Sequence, residues 1–200
     1  MPRIVDRKRE KKFQCTYCQT DCLKFGDWKR HESERHNPKY FWTCPSVGCN
    51  ARFAIDWRFA QHHKTKHNCV ECKCAYQPSV RRRVEPAVEF WGCGFCLAEE
   101  SLFDNWDARC GHVGRHFEHE GKTRQDWNNS LAVLNLLRRP DVRPFWIGKL
   151  HSVGYLEGME FSPQLFRWAE RHVDPLRQTL ERTIDGNNIS IVSSRKRWLQ

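Results

Sequence analysis

Apolar residues in this chain fall in short, separated groups up to about residue 125 and in helical stripes after it. In the first part an aromatic residue stands two positions before each of three cysteines: Phe13 before Cys15, Trp42 before Cys44 and Trp91 before Cys93. A second apolar position recurs nine residues before a histidine, with Cys22 before His31, Phe53 before His62 and Phe103 before His112. Trp28 and Phe59 stand three before His31 and His62, and Arg109 occupies the matching place before His112. So few apolar positions per segment predict very small units, each a strand return followed by a helix over a minimal plug. Cys22 packs there as a small hydrophobe. In the third segment Phe103, Trp106, Cys110, Val113 and Phe117 form a helical stripe, and Trp106 can fill the gap left by Arg109.

The C-terminal part reads differently. Trp127, Leu131, Leu134 and Leu137 line one helical face that ends at Pro140. A short aromatic element, PFWIGKL, follows. Ser162-Pro163 opens another helix, since serine caps well and proline suits the first position. Leu165, Trp168, Ala169 and His172 line it, Pro175 marks a break or restart, and Leu176 and Leu180 continue it toward Gly186. These stripes are the core of a small helical unit, with His151 and His172 as structural histidines. The final ISIVSSRKRWLQ reads as a strand or a basic tail.

Composition explains how such small units can hold together. Of 200 residues, 39% are hydrophobic and 29% charged, and there are 11 cysteines and 10 histidines. Units that cannot bury enough apolar surface need disulfides or metal. The opening MPRIVDRKREKK is a charge run with no apolar stretch after it, so no signal peptide is expected, and no window reaches the ~20 apolar residues of a membrane span. An odd cysteine count with C-x-x-C pairs near histidines then points to zinc in a reducing compartment. The net charge of +10 suggests an acidic partner, nucleic acid first, with no membrane partner.

Spacing supplies the ligands. Cys15 and Cys18 are followed after twelve residues by His31 and His36; Cys44 and Cys49, with a wider first turn, are followed after twelve by His62 and His67. Zinc takes four donors at tetrahedral corners, and a cysteine turn plus two histidines about one helical turn apart provide them. His63 is an alternative to His62, but Phe53 and Phe59 favour His62. For Cys93 and Cys96 two completions are open. His112 and His116 stand at i and i+4 on one helix face, giving a third unit with three extra residues in its loop. The rival is a four-cysteine ribbon with Cys69 and Cys72, which leaves the histidines and the Phe103 offset as coincidences. In the first case Cys69, Cys72 and Cys74 are inert thiols or an accessory site with His63.

These segments resemble Cys2His2 zinc fingers, and the order FGDWKRHE, WGCGFC, HVGRHFEHEG and a following W…LLRRP helix resembles the filamentous-fungal type over about residues 13 to 140. The resemblance implies the ββα fold, three structural Zn2+ sites, nucleic-acid binding through the helices, and a nuclear, transcription-regulator-like protein. The fold class expected is small α+β: two tandem ββα zinc fingers, a third separated variant finger and a C-terminal α-helical segment. The division is a basic tail (1–12), finger one (13–36), finger two (43–67), a cysteine-containing basic linker (68–90), finger three (91–119), a helical region (126–185) and a basic tail (186–200).

Base reading from helix positions −1, 3 and 6 falls to Lys24, Asp27 and Arg30 in finger one and to Ile55, Arg58 and Gln61 in finger two. Finger three offers Asn105, Ala108 and Gly111, a poor set. The seven-residue NPKYFWT has the length of a linker between tandem fingers, and Arg81, Arg82 and Arg83 are expected on phosphates or as an import signal. Duplex DNA is the first partner expected, with protein partners for the C-terminal helices. Protein interaction by the fingers, favoured by exposed Tyr40-Phe41-Trp42, and RNA binding are the alternatives. An enzyme is not expected: four-ligand zinc sites have no open position, and Glu118 beside His116 and His119 lacks the HEXXH order.

Overall fold

The aromatic offsets turn out to be cross-strand pairs. A computed structural model describes residues 12–69, 71, 73–74, 77, 79–85, 87–152 and 170–182. In it β1 (Phe13–Gln14) pairs antiparallel with β2 (Asp21–Cys22), Phe13 opposite Cys22. Trp42 of β3 (Tyr40–Thr43) faces Phe53 of β4 (Arg52–Phe53) in the same way. Trp91 of β6 (Trp91–Gly92) faces Phe103 of β7 (Leu102–Phe103). The residue two before the first cysteine thus pairs each time with the residue nine before the first histidine. Each pair leads into a helix: α1 (Phe25–Arg35), α2 (Asp56–Lys66) and α3 (Trp106–His119). An aspartate stands in the first turn of all three, where the helix dipole favours negative charge. Asn105 caps α3 by accepting from the Asp107 and Ala108 amides.

The result is a small mixed α+β fold with short antiparallel sheets and six α-helices among the described residues. The arginine run is part of it. Arg81–Arg83 form β5, which pairs with β3 so that Tyr40 faces Arg83 and Trp42 faces Arg81. Arg81 lies 3.6 Å over the Tyr40 ring and Arg52 lies 4.0 Å over Phe41, so the aromatic linker is covered by guanidinium groups rather than left bare.

The three units do not lie like beads on a string. The first and third share one core of Phe13, Trp28, Trp91, Phe95, Phe103, Cys110, Val113 and Phe117, with Cys22 and Phe25 packed against it. The Trp28 and Phe117 rings meet edge to face at 5.7 Å. The second unit has its own small core around Cys44, Phe59 and Val80. Trp106 packs against this core, on Trp91, and its indole donates to Ser33 of α1.

Three helices cover the third unit: α4 (Asn129–Leu136), α5 (Arg143–Ser152) and α6 (Glu170–Leu180). Leu134, Leu137, Trp146, Leu150, Val173, Leu176 and Leu180 are among their buried residues, with Phe90, Leu97 and Leu102 packed against them. Two sequence expectations are corrected. Trp127 precedes α4 and packs on Phe95 instead of lining the helix. Helix α6 runs through Pro175 without a break, because burial of Val173, Leu176 and Leu180, roughly 1.5–3 kcal/mol each, outweighs the ~3 kcal/mol an interior proline costs. Residues 1–11 of the N-terminal basic tail, the C-terminal basic tail, the Ser162-Pro163 helix start, and the expected stripe at Leu165, Trp168 and Ala169 lie outside the described residues.

Candidate metal centres

Each strand turn carries its cysteines beneath the following helix, and the helix returns two histidines to them. The donor atoms of Cys15, Cys18, His31 and His36 lie within 4.8 Å of one another. The same holds for Cys44, Cys49, His62 and His67, and for Cys93, Cys96, His112 and His116. Each set can hold a metal ion. Cys93 and Cys96 are therefore grouped with the histidines, while Cys69 lies with His63 and Cys74. The ribbon pairing of Cys69 with Cys93 and Cys96 is not formed, and Cys72 lies outside the described residues.

Several donor–donor distances match the edges of a tetrahedron around an ion. Bonds of ~2.0–2.3 Å at tetrahedral angles put imidazole and thiolate donors roughly 3.3–3.6 Å apart. Sγ of Cys18 is 3.3 Å from Nε2 of His31, Sγ of Cys49 is 3.4 Å from Nε2 of His62, and Sγ of Cys96 is 3.3 Å from Nε2 of His112. The Nε2 atoms of His62 and His67 are 3.2 Å apart and those of His112 and His116 3.1 Å. Nε2 of His36 is buried without a hydrogen-bond partner, a cost that ligation removes. Glu120 Oε2 lies 2.9 Å from Nδ1 of His116, which leaves Nε2 for the metal.

The cysteine turns also repeat. The Tyr17 amide donates to Sγ of Cys15 at 3.4 Å and the Phe95 amide to Sγ of Cys93 at 3.3 Å. These bonds favour thiolate, but burial works against it, pushing both thiols up to about 12, with Glu32 adding to the effect at Cys15. Burial, and then His116, holds His112 down at about 4, in its neutral ligand form. Buried thiols that resist ionisation beside neutral imidazoles are groups that a divalent cation would stabilise. Two thiolates and two imidazoles in a tetrahedron suit zinc.

Arg109, the mismatch in the third unit, is the main residue that spacing did not explain. Its side chain is fully buried and donates to Oε2 of Glu32 at 2.6 Å and to the Thr16 hydroxyl at 2.9 Å. The third unit's missing plug is a polar bolt into the first. Asn135 of α4 adds a second link, donating to the carbonyls of Cys93 and Cys96 at 2.8 and 2.9 Å. A charged residue at a plug position was the available signal for the first; the asparagine carried none.

The expected base-reading residues have mixed settings. Lys24, Arg30, Arg58 and Gln61 are exposed on or beside α1 and α2. Asp27 is half-buried and accepts from Arg30 at 2.8 Å. Ile55 is buried, and the Asn105 side chain is spent on its cap. Arg81, Arg82 and Arg83 are exposed along β5. No helix among the described residues is long and apolar enough to cross a membrane. No protein-family model, curated protein or solved structure matches the chain.

Proposed function

We propose that this is a nuclear zinc protein whose three Cys2His2 sites staple tandem and variant ββα fingers, and which binds duplex DNA to regulate transcription. The observation that carries the nucleic-acid part is the exposure of Lys24, Arg30, Arg58 and Gln61 on two helices, in a chain of net charge +10. Arginine and lysine suit guanine and glutamine suits adenine. The exposed strand Arg81–Arg83 beside the second unit supplies phosphate contacts. The third unit acts as a hub, its helix packed against the first unit and its strands β6 and β7 against the C-terminal helices. Four donors on each ion leave no place for water or substrate, which argues for a structural and against an enzymatic role.

Protein interaction is the second reading. What favours it is the use of α3 as a packing surface within this chain, through Arg109 and Trp106 onto α1. Selection from a random duplex pool with the zinc-loaded full chain separates the two. A motif enriched at moderate salt supports DNA reading; no enrichment puts protein interaction first.

A further inference from the structure

Helix α2 carries one histidine more than its own metal set needs. His62 and His67 belong to that set, yet His63 between them is 3% exposed and turned inward. Its ring lies 4.4 Å from Phe59, and its Nε2 is 3.3 Å from Sγ of Cys44. The next chain segment brings two thiols to it. A donor atom of His63 and the sulfurs of Cys69 and Cys74 all lie within 4.8 Å of one another.

Two separate backbone restraints build this cluster. Asn68 takes φ 53° after the end of α2, and the reversed chain lets the Cys69 amide donate to the His63 carbonyl at 3.2 Å. Asparagine tolerates that left-handed conformation better than most residues. Cys74 packs against the core of Cys44, Phe59 and Val80. Its carbonyl accepts from Gln77, whose own carbonyl accepts from Val80, and the Val80 carbonyl in turn accepts from Thr43 of β3. The helix end and the approach to β5 thus converge on one buried imidazole.

We infer that His63, Cys69 and Cys74 form a fourth zinc site, adjacent to the ion of the second unit. Two thiolates and an imidazole are three of the donors zinc prefers, with water or a further thiolate completing the tetrahedron. Such a site ties the segment after α2 to the body of the second unit and so fixes where β5 begins. The basic strand Arg81–Arg83 would then owe its position to a metal. The inference rests on zinc being the metal of the three Cys2His2 sets.

The test is a metal count on the full chain by native mass spectrometry and elemental analysis, for the wild type, Cys69→Ser/Cys74→Ser and His63→Leu. His63→Leu removes the donor while keeping an apolar contact for Phe59, so it guards against a simple folding failure. Four zinc ions in the wild type and three in both variants is the expected result, one ion for each of the four donor groups. Three in the wild type, or an unchanged count in the variants, overturns the fourth site and leaves the other three standing. A wild-type count below three overturns the three-site reading as well.

Discussion

Arg109 and Glu32, 77 residues apart in sequence, meet at 2.6 Å with side chains 1% and 0% exposed. Glu32 also accepts from the Thr16 amide and hydroxyl and from the Trp28 indole, so little of the carboxylate is left unpaired. A buried pair so well satisfied is costly to break from one side. Glu32→Gln and Arg109→Leu should each destabilise the zinc-loaded protein by about 3–5 kcal/mol in denaturant unfolding. The double variant should lose clearly less than the sum, because no charge is then left unpaired. Simple additivity would mean that the pair is not coupled.

Because the first and third units share one core, their metals should not act independently. Replacing His112 and His116 removes a ligand pair from the third set, and the damage should reach Phe117, which packs on Trp28 and Phe13. Amide exchange in α1 should therefore speed up in that variant, while α2, whose core is separate, should change little. Equal protection of α1 in both proteins would refute the coupling.

Metal binding should release protons. With both thiols held up at about 12 by burial, Cys15 and Cys93 are protonated at neutral pH until a cation displaces the proton. Affinity at the first and third sets should fall as pH falls, since protons compete for the ligands. Zinc titration of the apo protein in weak buffer reads the release directly. A titration that liberates no protons would contradict the assignment.

Two glycines should respond in opposite directions. A Cβ on Gly92 would lie 2.2 Å from the Ala132 carbonyl oxygen, backbone that cannot swing aside. Gly92→Ala should push α4 off β6 and cost about 1–3 kcal/mol or more, as overpacking does. Gly111, inside α3, has nothing within 4 Å of its missing Cβ. Gly111→Ala should stabilise by roughly 0.5–1 kcal/mol through helix propensity. Thermal melts of the two variants, shifted down and up respectively, are the check.

The sequence made the donor groups legible because metal ligation imposes fixed spacings, and the strand pairs followed from aromatic offsets tied to the same ligands. The assembly of the units was not legible. Nothing local to Arg109 says that its partner is Glu32, and the long contact from Asn135 to the Cys93 turn has no periodic signature. Linker length suggested adjacent fingers, whereas burial joined the first to the third. His63 was visible as a spare imidazole, but only the turn at Asn68 shows why Cys69 lies beside it.

Under the proposed duplex-DNA function, the exposed cations fall into two kinds. Arg30 stands on the outer face of α1, held by Asp27 at 2.8 Å, an exposed pair weak enough to be exchanged for a guanine edge. Arg30→Ala should cost about 1–3 kcal/mol of binding and relax preference at one base pair. Arg58→Ala should do the same at a different position, since it lies on α2. Neutralising Arg81, Arg82 and Arg83 should instead weaken binding to all duplexes alike and flatten its salt dependence, as lost phosphate contacts do. Two reading helices span only ~6 bp at 3 bp each, so modest affinity is expected for a single chain. The measurement is duplex selection followed by salt-titrated anisotropy on the zinc-loaded full chain, since the third unit's helix is part of the first unit's core. If Arg30→Ala and Arg58→Ala leave the selected motif unchanged, these helices are not reading bases, and their exposed faces belong to another partner.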